Sequence, residues 1–475
     1  MTVRAVSIPG GTPPEPPGVQ DLVELALSSA TLPGLAAVSE RTEANLRWAN
    51  SALTTNGEMR SLTLTVTATA EVPGGTATGT LSQEIAGPDE VAGVVAAAEQ
   101  LARTGTPAED AIALVEDYPH GDDWAAGPET TDIGVLAGLA TTLGEVFTQA
   151  AAAGHLLFGF AEHVVTTVYL GSSTGLRRRG VQPSGRLELN AKTADLTASA
   201  WAGRATRDFS DVDVAAVYAE TSTQLGWART RVDLPAGRYE TLLPPGAVAD
   251  LLIYTYWTAN ARAAEEGRSV FAAGDGQTLI GQTLSPLPLT LRSDPEYPGL
   301  EALPFVSFTY SADESSWTFD GGAPIEPTTW IERGVLRELI RNRAQAAKTG
   351  QRPTPPPDNL IMDGEGTATL AEMIAGTERG LLLTCLWYIR DVDPERLLLT
   401  GLTRDGVYLI ENGQVVGAVN NFRFNESPVE LLGRITEVGA AEITLCREWN
   451  DFFTRTVMPP IRVPDFNMST VSQAS

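Results

Sequence analysis

Between Thr400 and Val419 the chain reads TGLTRDGVYLIENGQVVGAV, in which Asp405-Gly406 and Asn412-Gly413 interrupt short apolar runs. Both dipeptides tolerate the positive φ values of a two-residue hairpin turn, so this stretch predicts consecutive antiparallel strands. The surrounding apolar runs are also short, and the last two hundred residues read mostly as sheet. With 475 residues, 43% of them hydrophobic, the chain is too long for one ordinary core, and two or three domains are expected.

Upstream, the apolar period switches between helix and strand. An amphipathic helix is expected over Asp21 to Ser39, closing near Pro33 and Gly34. A hairpin with one wet face is expected from Ala44–Asn50 and Ser61–Thr69, turning at Asn56-Gly57. Pro88 to Thr104 reads as a helix with Asp89 and Glu90 favourably placed in its first turn. GDDWAAGPETTD, Gly121 to Asp132, is a boundary or long loop, followed by a helix over Ile133–Ala153 that Gly154 ends. Strands are expected over Leu156–Leu170, Arg186–Ala200 and Arg238–Leu243, with one helix near Val212–Leu225. Ala247 to Glu266 is apolar on most sides and predicts a long buried helix. A further helix, Gly334 to Lys348, precedes the proline-rich loop Arg352–Pro357. The fold class is therefore α+β: an N-terminal α/β domain with a mixed or antiparallel sheet, and a β-rich C-terminal domain with a long buried helix. The expected divisions are a flexible tail at 1–20, an N-terminal α+β region at 21–130, a central α+β region at 131–235 and the β-rich domain at 236–475.

A net charge of −26 opposes broad attraction to phosphate backbones or anionic lipid, so neither nucleic acid nor membrane is expected as a partner. The most apolar stretch noted, Leu381 to Ile389, is far shorter than the roughly 20 residues of a spanning helix. The first residues, MTVRAVSIPGGTPPEPPG, lack the apolar core of a signal peptide. Two cysteines, Cys385 and Cys446, exclude a disulfide framework and fit a reducing, cytoplasmic compartment.

Catalytic groups are sparse. A helical zinc peptidase needs two imidazoles on one helix face and a carboxylate to take a proton from metal-bound water. The three histidines, His120, His155 and His163, have no such spacing, and the last two fall in a predicted strand, where they read as structural or surface groups. Gly171-Ser172-Ser173-Thr174-Gly175 superficially suggests a nucleophile elbow but leads into Arg177-Arg178-Arg179 without a helix signal, so it reads as a turn between strands. The three arginines read as a solvated turn. Gly274-Asp275-Gly276 and Gly364-Glu365-Gly366 lack the lysine and following helix of a phosphate loop.

Several segments, taken in order, resemble the TldD/PmbA family, formerly discussed as modulators of DNA gyrase and now as peptidases. They are ANLRWANSALTTNGEMRSLTLTV, VYLGSSTGLRRR, GRYETLLPPGAVADLL, ERGVLRELIRNRAQAAKTG, LTGLTRDGVYLIENGQVVGAVNNFRFNES and MPPIRVPDFNMS, spanning about residues 44 to 470. In catalytic members of that family the helix after GAVADLL carries His-Glu-x-x-x-His, and a C-terminal cysteine completes a zinc site. The resemblance aligns those three positions with Ile253, Tyr254 and Thr258, none of which replaces imidazole or a general base, and aligns the cysteine with Cys446. It thus implies a metal-free chain of the TldE or PmbA type, without a cofactor of its own. Its expected partner is a TldD-like metallopeptidase subunit carrying the zinc, with unfolded or short peptides as substrates inside a shared chamber. The alternative is an independent peptide-binding or assembly protein without proteolytic activity. A metal-independent hydrolase lacks a visible nucleophile and base.

The chain is strongly acidic, yet LWYIRDVDP, LTRDG and NNFRFNES set arginines beside aromatic or amide residues. Alternate strand residues share a face, so Tyr388 and Arg390, and likewise Asn421 and Arg423, are expected to project together. With Arg404 they form the expected peptide path, where a substrate strand adds to a sheet edge. The bland reading is that these arginines pair with Asp391, Asp393, Asp405 and Glu426.

Overall fold

The computed structural model describes residues 18–116, 123–307, 317–404 and 406–472. His120 and most of the expected N-terminal tail lie outside them. In the N-terminal half, helix α1 (Val19–Ser29) leads into a hairpin of long strands, β1 (Gly34–Ala49) and β2 (Ala52–Val72), followed by β3 (Gly75–Glu84) and helix α2 (Val91–Thr104). Helix α3 (Ala137–Ala152), strands β4 (His155–Ser172), β5 (Arg177–Thr193) and β6 (Ser199–Thr206), and helix α4 (Val214–Trp227) follow. The six strands form one antiparallel sheet in the order β3-β2-β1-β4-β5-β6, so the regions on either side of residue 130 share it.

Alternation decides what each face of that sheet meets. Val38, Leu64 and Val66 pack against α1 and α2 through Leu22, Val23, Val94 and Val95. Leu46, Leu157, Leu187 and Leu189 pack on α3 and α4 through Leu139, Leu143, Val146 and Val217. On the opposite face, Leu35 and Ala37 join the core of the C-terminal half.

The α+β class stands, and the sheet is antiparallel rather than mixed. Several expectations are corrected. The first helix stops at Ser29, and residues 34–39 are already strand. A Cβ on Gly34 would lie 2.1 Å from the Thr67 carbonyl oxygen, so glycine is required for that close approach. The hairpin turns at Asn50 and Ser51, with φ of 49° and 58°, and not at Asn56-Gly57, which pair with Leu46 and Asn45 inside β2. Residues 52–56 are exposed on both faces, so their sequence carries no apolar alternation to mark the strand. Arg177–Arg179 belong to β5 and not to a solvated turn: Arg177 holds Glu24 with two bonds of 2.6 and 2.7 Å, and Arg179 holds Asp123 at 3.0 Å. The segment Gly171–Gly175 is the expected turn between strands.

A 20-residue helical stretch, Ile133–Ala152, is long and apolar enough by length and composition to cross a membrane. Its Leu136, Leu139, Leu143, Val146 and Ala150 are buried against the sheet and α4.

The C-terminal half surrounds helix α5 (Pro245–Trp257), which is buried on almost every side. A ten-stranded sheet includes Gly237–Leu243, Arg379–Leu383, Trp387–Asp393, Leu398–Leu402, Val407–Glu411, Gln414–Val419, Phe422–Glu426 and Ile461–Val471. Six short strands, among them Leu360–Asp363 and Thr456–Met458, form a second sheet. Asn412 and Gly413 turn the hairpin as expected, with φ of 51° and 77°. Asp405-Gly406 does not make a hairpin. Asp405 itself lies outside the described residues, and Leu398–Leu402 pairs with Trp387–Asp393 and Phe422–Glu426 instead of with Val407–Glu411. Gly406 is needed there because a Cβ would sit 2.6 Å from the Cβ of Cys385. The expected helix at Gly334–Lys348 is helical only over Arg343–Thr349. Arg333 and Gly334, with φ of 47° and 85°, instead turn a strand pair. The expected long helix over Ala247–Glu266 breaks after Trp257, where Thr258 caps α5 and Ala261–Glu265 begins separately.

Candidate functional site

Helix α5 enters through Pro245, whose missing N–H costs nothing in the first turn. Its one charged residue, Asp250, is fully buried, and one carboxylate oxygen accepts the Glu448 backbone N–H at 2.9 Å. Burial, with the nearby Glu448 charge adding to it, pushes the Asp250 carboxyl well above the usual carboxylate range. Glu448 in turn accepts the amides of Tyr388 and Ile389, both at 2.9 Å, and meets Arg390 at 3.4 Å. Glu448 thus ties the strap 446–449 to α5 through its backbone N–H and to the strand Trp387–Asp393 through its carboxylate.

Beside the strap, Arg447 lies over Trp201 and Trp387, each 5.2 Å from the guanidinium carbon, and against the Cys385 sulfur. Burial pushes the Cys385 thiol up to about 11, although Arg447 acts the other way. Cys446 is also buried; its thiol donates to the Phe453 carbonyl at 3.1 Å, and burial raises it far from thiolate.

The three positions aligned with the zinc motif present no donor set. Ile253 is in the core without a donor atom, and Tyr254 donates its hydroxyl to the Ile389 carbonyl at 3.1 Å. Burial raises the Tyr254 phenol far above its ordinary value, against ligation as phenolate. Thr258 spends its hydroxyl on the Tyr254 carbonyl at 2.8 Å. These residues and Cys446 do not fit zinc, and among the described residues no group of three or more His, Cys, Asp or Glu side chains is arranged to hold a metal. His163 uses both ring nitrogens internally, at 2.7 Å to Thr131 and to the Arg207 carbonyl, and His155 meets Tyr218 at 3.1 Å.

The expected peptide-path residues divide. Arg390 stacks 4.1 Å above the Tyr388 ring, so these two do project together. Arg390 pairs in register with Thr400, and Arg423 donates to the Thr400 hydroxyl at 3.3 Å from the next strand. Arg404 is exposed after Leu402, and Asn421 is half-buried just before the strand Phe422–Glu426. The expected ion pairs differ: Arg390 turns to Glu448, and Glu426 is held by Arg434. The edge is also less available than expected, because Glu448 occupies two successive amides there. Tyr388 has φ of 54°, a conformation that bulky residues rarely adopt, where the strand register shifts. Sequence reasoning missed Asp250 and Glu448, although a lone acid inside GAVADLLIY was a visible signal.

Two cavities lie where the C-terminal half meets β4 and β5, of about 290 and 210 Å³. Gln182, Asp358, Asp451 and Phe452 line both.

The β-rich half built around the buried helix α5 is matched, over residues 236–470, by the family model for the PmbA/TldA metallopeptidase C-terminal domain. The chain belongs to the TldD/PmbA family. Its fold is similar to that of TldE from Thermococcus kodakarensis, with a TM-score of 0.74 at 16% identity, covering 94% of this chain and 99% of that one. It is also similar to a putative modulator of DNA gyrase from Thermotoga maritima, with a TM-score of 0.70, 17% identity and coverage of 94% and 99%. A putative modulator of DNA gyrase from Bacteroides thetaiotaomicron matches with a TM-score of 0.69, 15% identity and coverage of 95% and 98%. No curated protein sequence matches the chain.

Proposed function

We propose that this chain is the metal-free subunit of a TldD/TldE-type metallopeptidase, working in the cytoplasm beside a zinc-bearing TldD-like subunit on unfolded or short peptides. The observation that carries the reading is the state of α5: the positions aligned with the zinc motif hold an apolar side chain and two hydroxyls spent on backbone carbonyls. Asp250, the only carboxylate on α5, is committed to holding the strap. In this reading the helix keeps its place as an assembly element after losing its chemistry. Tyr388, Arg390, Arg404, Asn421 and Arg423 remain the proposed peptide-facing groups.

Affinity purification from the native host, with elemental analysis and a peptide-cleavage assay, tests this. The isolated chain is expected to contain no stoichiometric zinc and to cleave nothing, whereas a co-purifying relative brings both zinc and chelator-sensitive activity. One tightly bound zinc per isolated chain, or cleavage by it alone, refutes the reading. Recovery without any relative favours the independent peptide-binding or assembly protein.

A further inference from the structure

The wider of the two joined cavities is walled by aromatic groups, chiefly Tyr256, Trp257, Phe305, Trp317, Phe452 and Phe453. At about 290 Å³ it sits at the small end of ligand sites, which run from roughly 300 to 1,000 Å³. Two carboxylates, Asp358 and Asp451, line it, and among the described residues its lining contains no lysine, arginine or histidine. The narrower cavity is polar. Its arginines are committed: Arg186 to Glu162 at 3.1 Å, Arg41 to Glu43 at 3.0 Å, and Arg455 to Asp358 at 2.9 Å. Ser184 and Thr454 share a hydroxyl bond of 2.8 Å on its wall.

The two carboxylates stand at the junction of the cavities. Asp358 is engaged by Arg455 and by Gln182, both at 2.9 Å. Asp451, which lines both cavities, is exposed and takes part in no ion pair among the described residues. The α-carbon of an amino-terminal residue carries three groups that match this layout. Its ammonium meets a carboxylate, its side chain enters an apolar aromatic chamber, and its carbonyl continues as backbone into a polar channel. An ammonium beside aromatic faces also gains cation–π attraction.

We propose that these joined cavities bind the free amino terminus of a peptide whose first residue is large and apolar, with Asp451 receiving the ammonium. The site belongs to this chain alone. It goes beyond the partner-subunit reading and does not depend on it, so the zinc experiment can fail while this site stands.

The test is isothermal titration of the full chain with Phe-Gly-Gly, N-acetyl-Phe-Gly-Gly and Gly-Gly-Gly. Phe-Gly-Gly is expected to bind saturably, and either acetylation or loss of the aromatic side chain weakens binding at least about tenfold, the size of a charge-assisted bond or one buried ring. Asp451→Asn is expected to weaken Phe-Gly-Gly by roughly tenfold with an unchanged melting temperature, since the side chain is exposed. Equal binding of the acetylated peptide overturns the proposal, as it points to an apolar segment of a partner protein rather than a terminus. Absence of saturable binding by any of the three, or full affinity in the Asp451→Asn variant, also overturns it. The acetylation arm uses the unaltered chain and remains decisive if the variant folds poorly.

Discussion

Asp250 holds the strap 446–449 from helix α5 and Asp451 follows that strap two residues on, and the protein uses their carboxylates in contrary ways. Asp250 is sealed inside α5's surroundings and accepts a backbone amide at 2.9 Å, which leaves no route for a ligand. Asp451 stands exposed at an aromatic cleft. The same functional group is a rivet where burial and a backbone donor fix it, and a ligand-facing charge where solvent reaches it.

Asp250→Ala should have the largest effect. It strands the buried Glu448 amide and opens a void, and is expected to cost about 3 kcal/mol in urea denaturation; a loss below about 0.5 kcal/mol would remove the rivet from the comparison. Asp250→Asn keeps an acceptor oxygen without a charge and sharpens the point through pH. The folded-state pKa of Asp250 is raised, so its stabilising contribution is fully present below the ordinary carboxylate value and is lost as pH rises through the folded value. Wild type should therefore lose stability relative to Asp250→Asn as pH rises above about 4. A pH-independent difference between the two would show that the carboxyl is not shifted in this direction.

Cys446→Ala should be milder. Its thiol makes one backbone contact in a closed core, so a packing loss of roughly 1 kcal/mol is expected, with full activity in any complex. A folded variant that abolishes peptidase activity in the complex would show that the sulfur still serves a metal. The smallest effects belong to Arg390→Gln and Arg423→Gln, whose side chains are largely exposed; each should change stability by under about 0.5 kcal/mol. Turnover in the assembled complex should fall for both, and loss of stability with unchanged turnover per folded complex would assign them to sheet structure.

Local chemistry made part of this architecture legible. Asn412-Gly413 reads directly as a hairpin because both residues accept positive φ, and the helix ending at Gly154 reads from its apolar spacing and its stop. The same dipeptide misled at Asn56-Gly57, because β2 runs on through exposed residues whose pairing comes from β1 rather than from any apolar pattern of their own. Arg333-Gly334 makes a turn that residue preference alone disguised as the start of a helix. At the site, the loss of the aligned zinc motif follows from residue types alone, since no fold turns isoleucine into a ligand.

Composition and local spacing were enough to determine the α+β class, the acidic character and the absence of paired histidines, because these depend on residue identity and near neighbours. Tertiary structure decided that Asp250 meets a strap 198 residues away. It also brought Gln182 of β5 to Asp358 and Asp451, because a long-range cleft depends on how the sheet and the α5 core pack, and a carboxylate's role depends on whether that packing seals it or leaves it wet.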